Sequence, residues 1–214
     1  MREELAKIKN LLEISCEQEA ALSSYVSLLL KWNKAHNLIG KRTEKEIWER
    51  HILDCAQLVK YIPDNTKTIT DLGSGAGLPG IILAILNPNI EIHLVESNSK
   101  KAAFLREFCQ KTQLSNVRLH NQRVENLNSL ESDIITARAF AKIDEILKIS
   151  QHFLHKNSVL ILLKGISLDE ELKQAAENWR FEKEVFSSII RNKNSRDSEA
   201  GFVIVMNSIK KLGG

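Results

Sequence analysis

The stretch Asp71–Gly80 reads DLGSGAGLPG, and the reading of its opening aspartate decides the fold. Glycines at 73, 75, 77 and 80 allow a tight strand-to-helix turn, and the last six letters satisfy the spacing of a dinucleotide-binding loop. A pyrophosphate on the helix N-terminus would be repelled by a carboxylate standing two residues before the first glycine. S-Adenosylmethionine has no phosphate and carries an ammonium and a sulfonium, so Asp71 favours it, directly or through water. Glu96 lies 19 residues after Gly77, at the end of the next strand pattern, where an acidic side chain takes both hydroxyls of a ribose. Asp71, Gly73, Gly75 and Glu96 therefore form a candidate donor site. The bland alternative is a surface turn with solvated acids.

Around this loop the chain alternates strand and helix. TKTIT (Thr66 to Thr70) precedes the glycines; IEIHLVE (Ile90 to Glu96), NVRLHN, SDIITA and SVLILL follow at intervals filled by helical segments. That pattern predicts an α/β fold, a Rossmann-like, mostly parallel sheet covered on both faces. FEKEVFSSII (Phe181 to Ile190) and GFVIVMNSI (Gly201 to Ile209) read as a hairpin, so the sheet is expected to close with one antiparallel edge strand. Upstream, apolar residues from Glu17 to Lys34 recur at helical spacing, and a second helical pattern runs from Thr43 to Val59. Pro63 and Asp64 mark the one candidate boundary, giving residues 1–62 as a helical extension and 63–214 as the sheet domain, packed as one body.

The 214 residues, 43% of them hydrophobic, suffice for a real core, and a net charge of +3 leaves the partner open. Cys16, Cys55 and Cys109 form no CxxC, which fits a reducing cytoplasmic setting and argues against a disulfide framework or a zinc site. The longest apolar run, Val159 to Leu163, is too short to cross a bilayer, so no membrane association is expected. His152 and His155 invite a metal reading, but no third ligand is near, and no metal is expected.

Beyond the third strand, Val124 and Glu125 could receive an adenine; a plain helix-start charge explains Glu125 equally well. The fourth strand delivers Thr136, Ala137 and Arg138 to the carboxyl edge of the sheet, where open parallel sheets bind ligands. Arg138 is expected between donor and incoming base, its guanidinium aimed at the donor carboxylate, a phosphate or guanine O6. The only prolines are 63, 79 and 88, which rules out the Pro-Pro-aromatic loop of amine methylation and the Pro-Cys nucleophile of cytosine methylation. A ring nitrogen with a free lone pair, such as guanine N7, needs no deprotonation, and positioning carries most of its catalysis. Between Lys100 and Arg123 six basic residues face one acid, and RNKNSR (Arg191 to Arg196) adds three, so phosphate contacts are plausible; a solvated helix face competes. Aromatics are sparse near these clusters, and no stacking platform is evident.

WNKAHNL (Trp32 to Leu38), RHILDC (Arg50 to Cys55), DLGSGAGLPGI, RVENL (Arg123 to Leu127) and ARAF (Ala137 to Phe140) occur in this order. Together they resemble the ribosomal small-subunit methyltransferase G family, also called glucose-inhibited division protein B. The resemblance covers most of the chain. It implies a seven-stranded class I methyltransferase using S-adenosylmethionine and no metal, acting on guanine N7 in the 530 loop of 16S ribosomal RNA (guanine 527 in the usual rRNA numbering). The substrate would be naked RNA or the 30S particle, and the protein a monomer. Donor contacts carry over to Gly73, Leu78, Val124, Glu125 and Arg138; RNA or catalytic roles carry over to His51, Lys100, Arg123 and Arg138. A packing histidine, a solvated lysine and a salt-bridged arginine are the competing readings of the first three. Many members carry an arginine in the last strand where this chain has Ala200; Arg191 or Arg196 are candidate replacements. Rival functions are a small-molecule methyltransferase sharing the donor site and a catalytically silent RNA-binding module.

Overall fold

The structure, a computed structural model, describes residues 2–127, 130–190 and 201–213. Seven strands form one sheet: β1 (Thr68–Leu72), β2 (Glu91–Val95), β3 (Val117–His120), β4 (Ser132–Arg138), β5 (Leu154–Lys164), β6 (Trp179–Ser187) and β7 (Phe202–Lys211). Their order is β3-β2-β1-β4-β5-β7-β6. The first five pair in parallel, and β7 is reversed against both β5 and β6. The expected antiparallel edge is thus the β6–β7 hairpin, with the reversed strand one place in from the border. The strand order reverses between β1 and β4, which opens a crevice at their carboxyl ends.

Alternation along the strands builds two apolar layers. Ile134, Ile161 and Leu163 face a layer that contains Phe104 and Phe108, whereas Ile135, Leu160 and Leu162 face another containing Ile146, Leu147 and Leu172. The first layer receives α1 (Arg2–Leu11), α2 (Cys16–His36), α4 (Gly80–Leu86) and α5 (Ser99–Thr112); the second receives α6 (Ile143–Ser150) and α7 (Leu168–Asn178). Ser15 starts α2 by a capping box with Gln18, and Asn37 ends it at φ 48°, a left-handed position that asparagine tolerates.

Helix α2 is stitched into the glycine turn and the helix after it. The buried Tyr25 hydroxyl donates to Ala76 O over 2.6 Å, and Gln18 Nε2 donates to the carbonyls of Ile85 and Leu86. The pattern from Thr43 to Val59 is helical but not one regular helix. It comprises a 3₁₀ turn Lys41–Glu46, a π-helical stretch Trp48–Leu53, one α turn α3 (Asp54–Ala56) and a 3₁₀ turn Gln57–Tyr61. In the π stretch Asp54 N–H bonds back to Glu49 O, one residue further than in an α-helix, and Arg50 O is available to a side chain. Among the described residues no helix is long and apolar enough to cross a membrane. The Arg191 to Arg196 cluster and Ala200 lie outside the described residues.

Candidate active site

Asp71 and Glu96 end adjacent strands and both hold the glycine turn. Asp71 is wholly buried; its Oδ2 accepts from Gly80 N–H over 3.0 Å, and its Oδ1 has no hydrogen-bond partner. Burial pushes this carboxyl up to about 7, against the lowering by the Gly80 N–H. Glu96 accepts from Gly75 N–H over 2.7 Å through one oxygen and from Asn98 N–H over 2.6 Å through the other. Each Glu96 oxygen keeps a second lone pair, so hydroxyls can be accepted without releasing the turn. Gly73 stands at φ +64°, and a Cβ there would lie 2.1 Å from Phe140 Cδ2, so both backbone and space demand glycine.

Two cavities flank this turn. One, of about 340 Å³, runs along Glu96, Arg123, Val124 and Glu125; the other, of about 270 Å³, along Gly75, Leu78, His51 and Arg138. They share Gly73, Lys101 and Ala139. Of the candidate donor residues, Gly73, Gly75, Leu78, Glu96, Val124, Glu125 and Arg138 therefore line one continuous region, whereas Asp71 supports it from beneath. Lys100 is exposed on the first turn of α5; Lys101, in sequence one member of the basic run from Lys100 to Arg123, is the lysine that lines both cavities. Asn98 caps that helix by accepting from both lysines' N–H groups, and the helical rotation of one residue separates a solvated side chain from a lining one.

Arg138 corrects the expectation about its guanidinium. It points at the helical extension: Nη2 donates to Arg50 O over 2.7 Å and lies 3.3 Å from Asp54 Oδ2, and Nη1 donates to His51 Nδ1 over 3.0 Å. The cause is local. The π stretch presents a carbonyl, and burial raises the cost of leaving the Asp54 carboxylate unpaired. Because a guanidinium only donates, His51 Nδ1 must accept, Nε2 carries the hydrogen and donates to Thr43 Oγ1 over 2.7 Å, and Thr43 donates to Gly40 O. Burial first, and then Arg138 and Arg50, bring the His51 imidazole down to about 3. His51 is a neutral brace with both nitrogens engaged. Cys55, 3.9 Å from Arg138 Nη1, is pushed up to about 12 by burial and remains a thiol.

Residues 18–198 match the model of the family described as rRNA small subunit methyltransferase G. The proteins named Ribosomal RNA small subunit methyltransferase G from Rhodospirillum centenum and Rhodospirillum rubrum are 40% and 42% identical over 175 residues, 82% of this chain and 80% and 86% of theirs. The chain belongs to this family. It is a methyltransferase of ribosomal RNA that uses S-adenosylmethionine. The fold is that of the class I methyltransferases: the structure of M. jannaschii TYW2 in complex with AdoMet superposes with a TM-score of 0.52 at 18% identity, over 71% of this chain and 72% of that one. The family's donor fits the site. Glu96 is placed for hydroxyls, Val124 offers apolar surface, and the orphaned Asp71 Oδ1 leaves a buried acceptor with capacity for a cationic group or a water beneath the turn. Among the described residues no three side chains come together as a metal site.

Proposed function

We propose that this chain transfers a methyl group to N7 of guanine 527 in the 530 loop of 16S ribosomal RNA, acting in the cytoplasm as a monomer on naked RNA or on the 30S particle. We further propose residues 1–62 as its helical extension and 63–214 as its methyltransferase domain. One observation carries the choice of atom: the groups around Arg138 that could take a proton are already committed. His51 accepts from Arg138, Asp54 is paired with it, and Cys55 is a neutral thiol. An exocyclic amine or a ring carbon needs a base or a nucleophile. Guanine N7 needs neither.

S-Adenosylmethionine, when bound, supplies an electrophilic methyl on a positive sulfur. Guanine N7 would take that methyl on its free lone pair, leaving the positive charge on the imidazole ring of the base with no proton to move. The residues then have to orient and to exclude water. Glu96 and the glycine turn hold one end of the donor region, and Val124 and Leu78 bound it with apolar surface. Arg138 keeps its charge on the extension and away from a cationic methyl group, which would otherwise be repelled. Lys100, Lys101 and Arg123 are the proposed phosphate contacts. The test is incubation with methyl-labelled donor and either undermethylated 30S particles or naked 16S RNA, followed by nuclease digestion and mass spectrometry. The expected product is 7-methylguanosine at position 527. Label confined to an exocyclic amine or to small metabolites would overturn the reading.

A further inference from the structure

Ala139, at φ +51°, turns the chain sharply after β4, and Phe140 comes to rest over Gly73. Phe140 lines the 340 Å³ donor cavity on one side and, on the other, a third cavity of about 470 Å³ that also includes Arg138, Lys142 and Phe202. That volume lies in the range in which protein clefts take a small ligand. Residues 138–140 are thus a partition between the donor region and an open cleft on the same sheet edge. Methyl transfer needs its two reactants in direct in-line contact, and the cavities meet at Ala139, which lines all three.

A charged pair holds the partition. Lys164 Nζ donates to Ala141 O over 2.7 Å and to Glu171 Oε2 over 2.6 Å, and the same carboxylate oxygen accepts from Ile143 N–H over 3.1 Å. The two side chains are only 9% and 12% exposed. Withdrawing two charges from water is costly unless their hydrogen bonds are completed, and here the completing groups are backbone atoms of the loop that carries Phe140.

We propose that the 470 Å³ cleft is the pocket for the acceptor purine, that the base stacks on Phe140, and that the Lys164–Glu171 pair positions that ring. This rests on the reading of the chain as a methyltransferase of a ribosomal guanine. Enzymes that modify a base act on unpaired nucleotides or take the base out of its stack, and grip it between aromatic and apolar side chains. Phe140, Phe202 and Leu163 line the cleft and supply such surfaces, and Lys142 is an exposed cation beside them for the backbone phosphate.

The experiment compares wild type, Phe140→Tyr, Phe140→Leu and Phe140→Ala in single-turnover methylation of undermethylated 30S particles and naked 16S RNA, alongside calorimetric affinity for S-adenosylhomocysteine. Phe140→Tyr keeps an aromatic face and should retain most of the activity that the other two variants lose. Phe140→Leu and Phe140→Ala should lose about ten-fold or more in rate or half-saturating RNA, the loss expected for one base–aromatic stack, with product affinity nearly unchanged. A fully active Phe140→Leu would make the ring a filler, and a parallel loss of S-adenosylhomocysteine affinity would make it a donor wall; either overturns the pocket. Lys164→Met should cost activity in wild type and add nothing in the Phe140→Ala background. A further multiplicative loss there overturns the positioning role. If wild type itself leaves guanine N7 unlabelled in both substrates, the activity reading fails first and the pocket falls with it.

Discussion

The Arg138 guanidinium donates to His51 Nδ1 across 3.0 Å, joining the end of the fourth strand to a π-helical turn 87 residues earlier in the chain. This fixes the tautomer of His51 and makes its protonation incompatible with the contact. His51 takes a proton near pH 3 in the folded protein and near 6.5 in the unfolded chain. Acid therefore protonates the unfolded form first. The His51 contribution to stability is complete above about pH 6.5 and is lost as pH falls towards 3. His51→Gln should flatten the decline of the urea midpoint on acidification from neutral pH. An identical decline in both proteins would place the acid sensitivity elsewhere.

Asp71 shifts in the opposite sense. Its carboxyl is raised from 3.8 to about 7, so its contribution to stability is full below 3.8 and is lost as pH rises through 7. A cationic donor favours the ionised carboxylate, so binding should release a proton near neutrality, and affinity should rise with pH across that window. Calorimetry in buffers of different ionisation enthalpy measures the release directly. Asp71→Asn should abolish it; persistence of the release in that variant would assign the proton to another group.

Glu96→Gln swaps one carboxylate oxygen for an amide nitrogen, which then meets a backbone N–H of Gly75 or Asn98. One donor is left unsatisfied at a cost of about 1–3 kcal/mol, seen as a lower melting temperature. The turn and the hydroxyl contact go together, so S-adenosylhomocysteine should bind roughly ten-fold or more weakly. Normal product affinity in a destabilised Glu96→Gln would restrict the residue to bracing the turn.

Lys100 and Arg123 separate two roles that the sequence presents as one. Each should lower the salt slope of RNA binding by about 1 unit when changed to alanine, if each neutralises a phosphate. Arg123 also lines the donor cavity, and Lys100 does not. Arg123→Ala should therefore change S-adenosylhomocysteine affinity as well, and Lys100→Ala should leave it alone. Equal effects on product affinity would contradict this division.

Much of the fold is legible because local pattern and tertiary environment agree. Ile134 and Ile135, or Leu160 to Leu163, alternate between two buried faces and read as strands from either. Glycine spacing locates the donor turn for the same reason: a positive φ at Gly73 is a backbone demand written in one letter. What escaped the sequence depends on distant pairings. Nothing in RHILDC announces a π turn whose Arg50 carbonyl receives Arg138, because the extra residue per turn leaves the apolar spacing nearly helical. Phe140 was hidden in the same way. Sparse aromatics argue against a stacking surface only until the left-handed Ala139 brings one ring over Gly73. ARAF itself held the signal, an aromatic two residues past the end of β4.

The Tyr25–Ala76 hydrogen bond has a consequence for biosynthesis. Translation delivers the chain from its N-terminus, so α2 leaves the ribosome about 50 residues before the carbonyl that Tyr25 serves, and well before Arg138 can reach Arg50 and Asp54. Through that interval Leu22, Tyr25 and Leu29 have no sheet to cover them. The growing polypeptide thus leaves the apolar face of α2 solvated early and covers it late, so aggregation of the nascent chain is a hazard that the finished fold does not share.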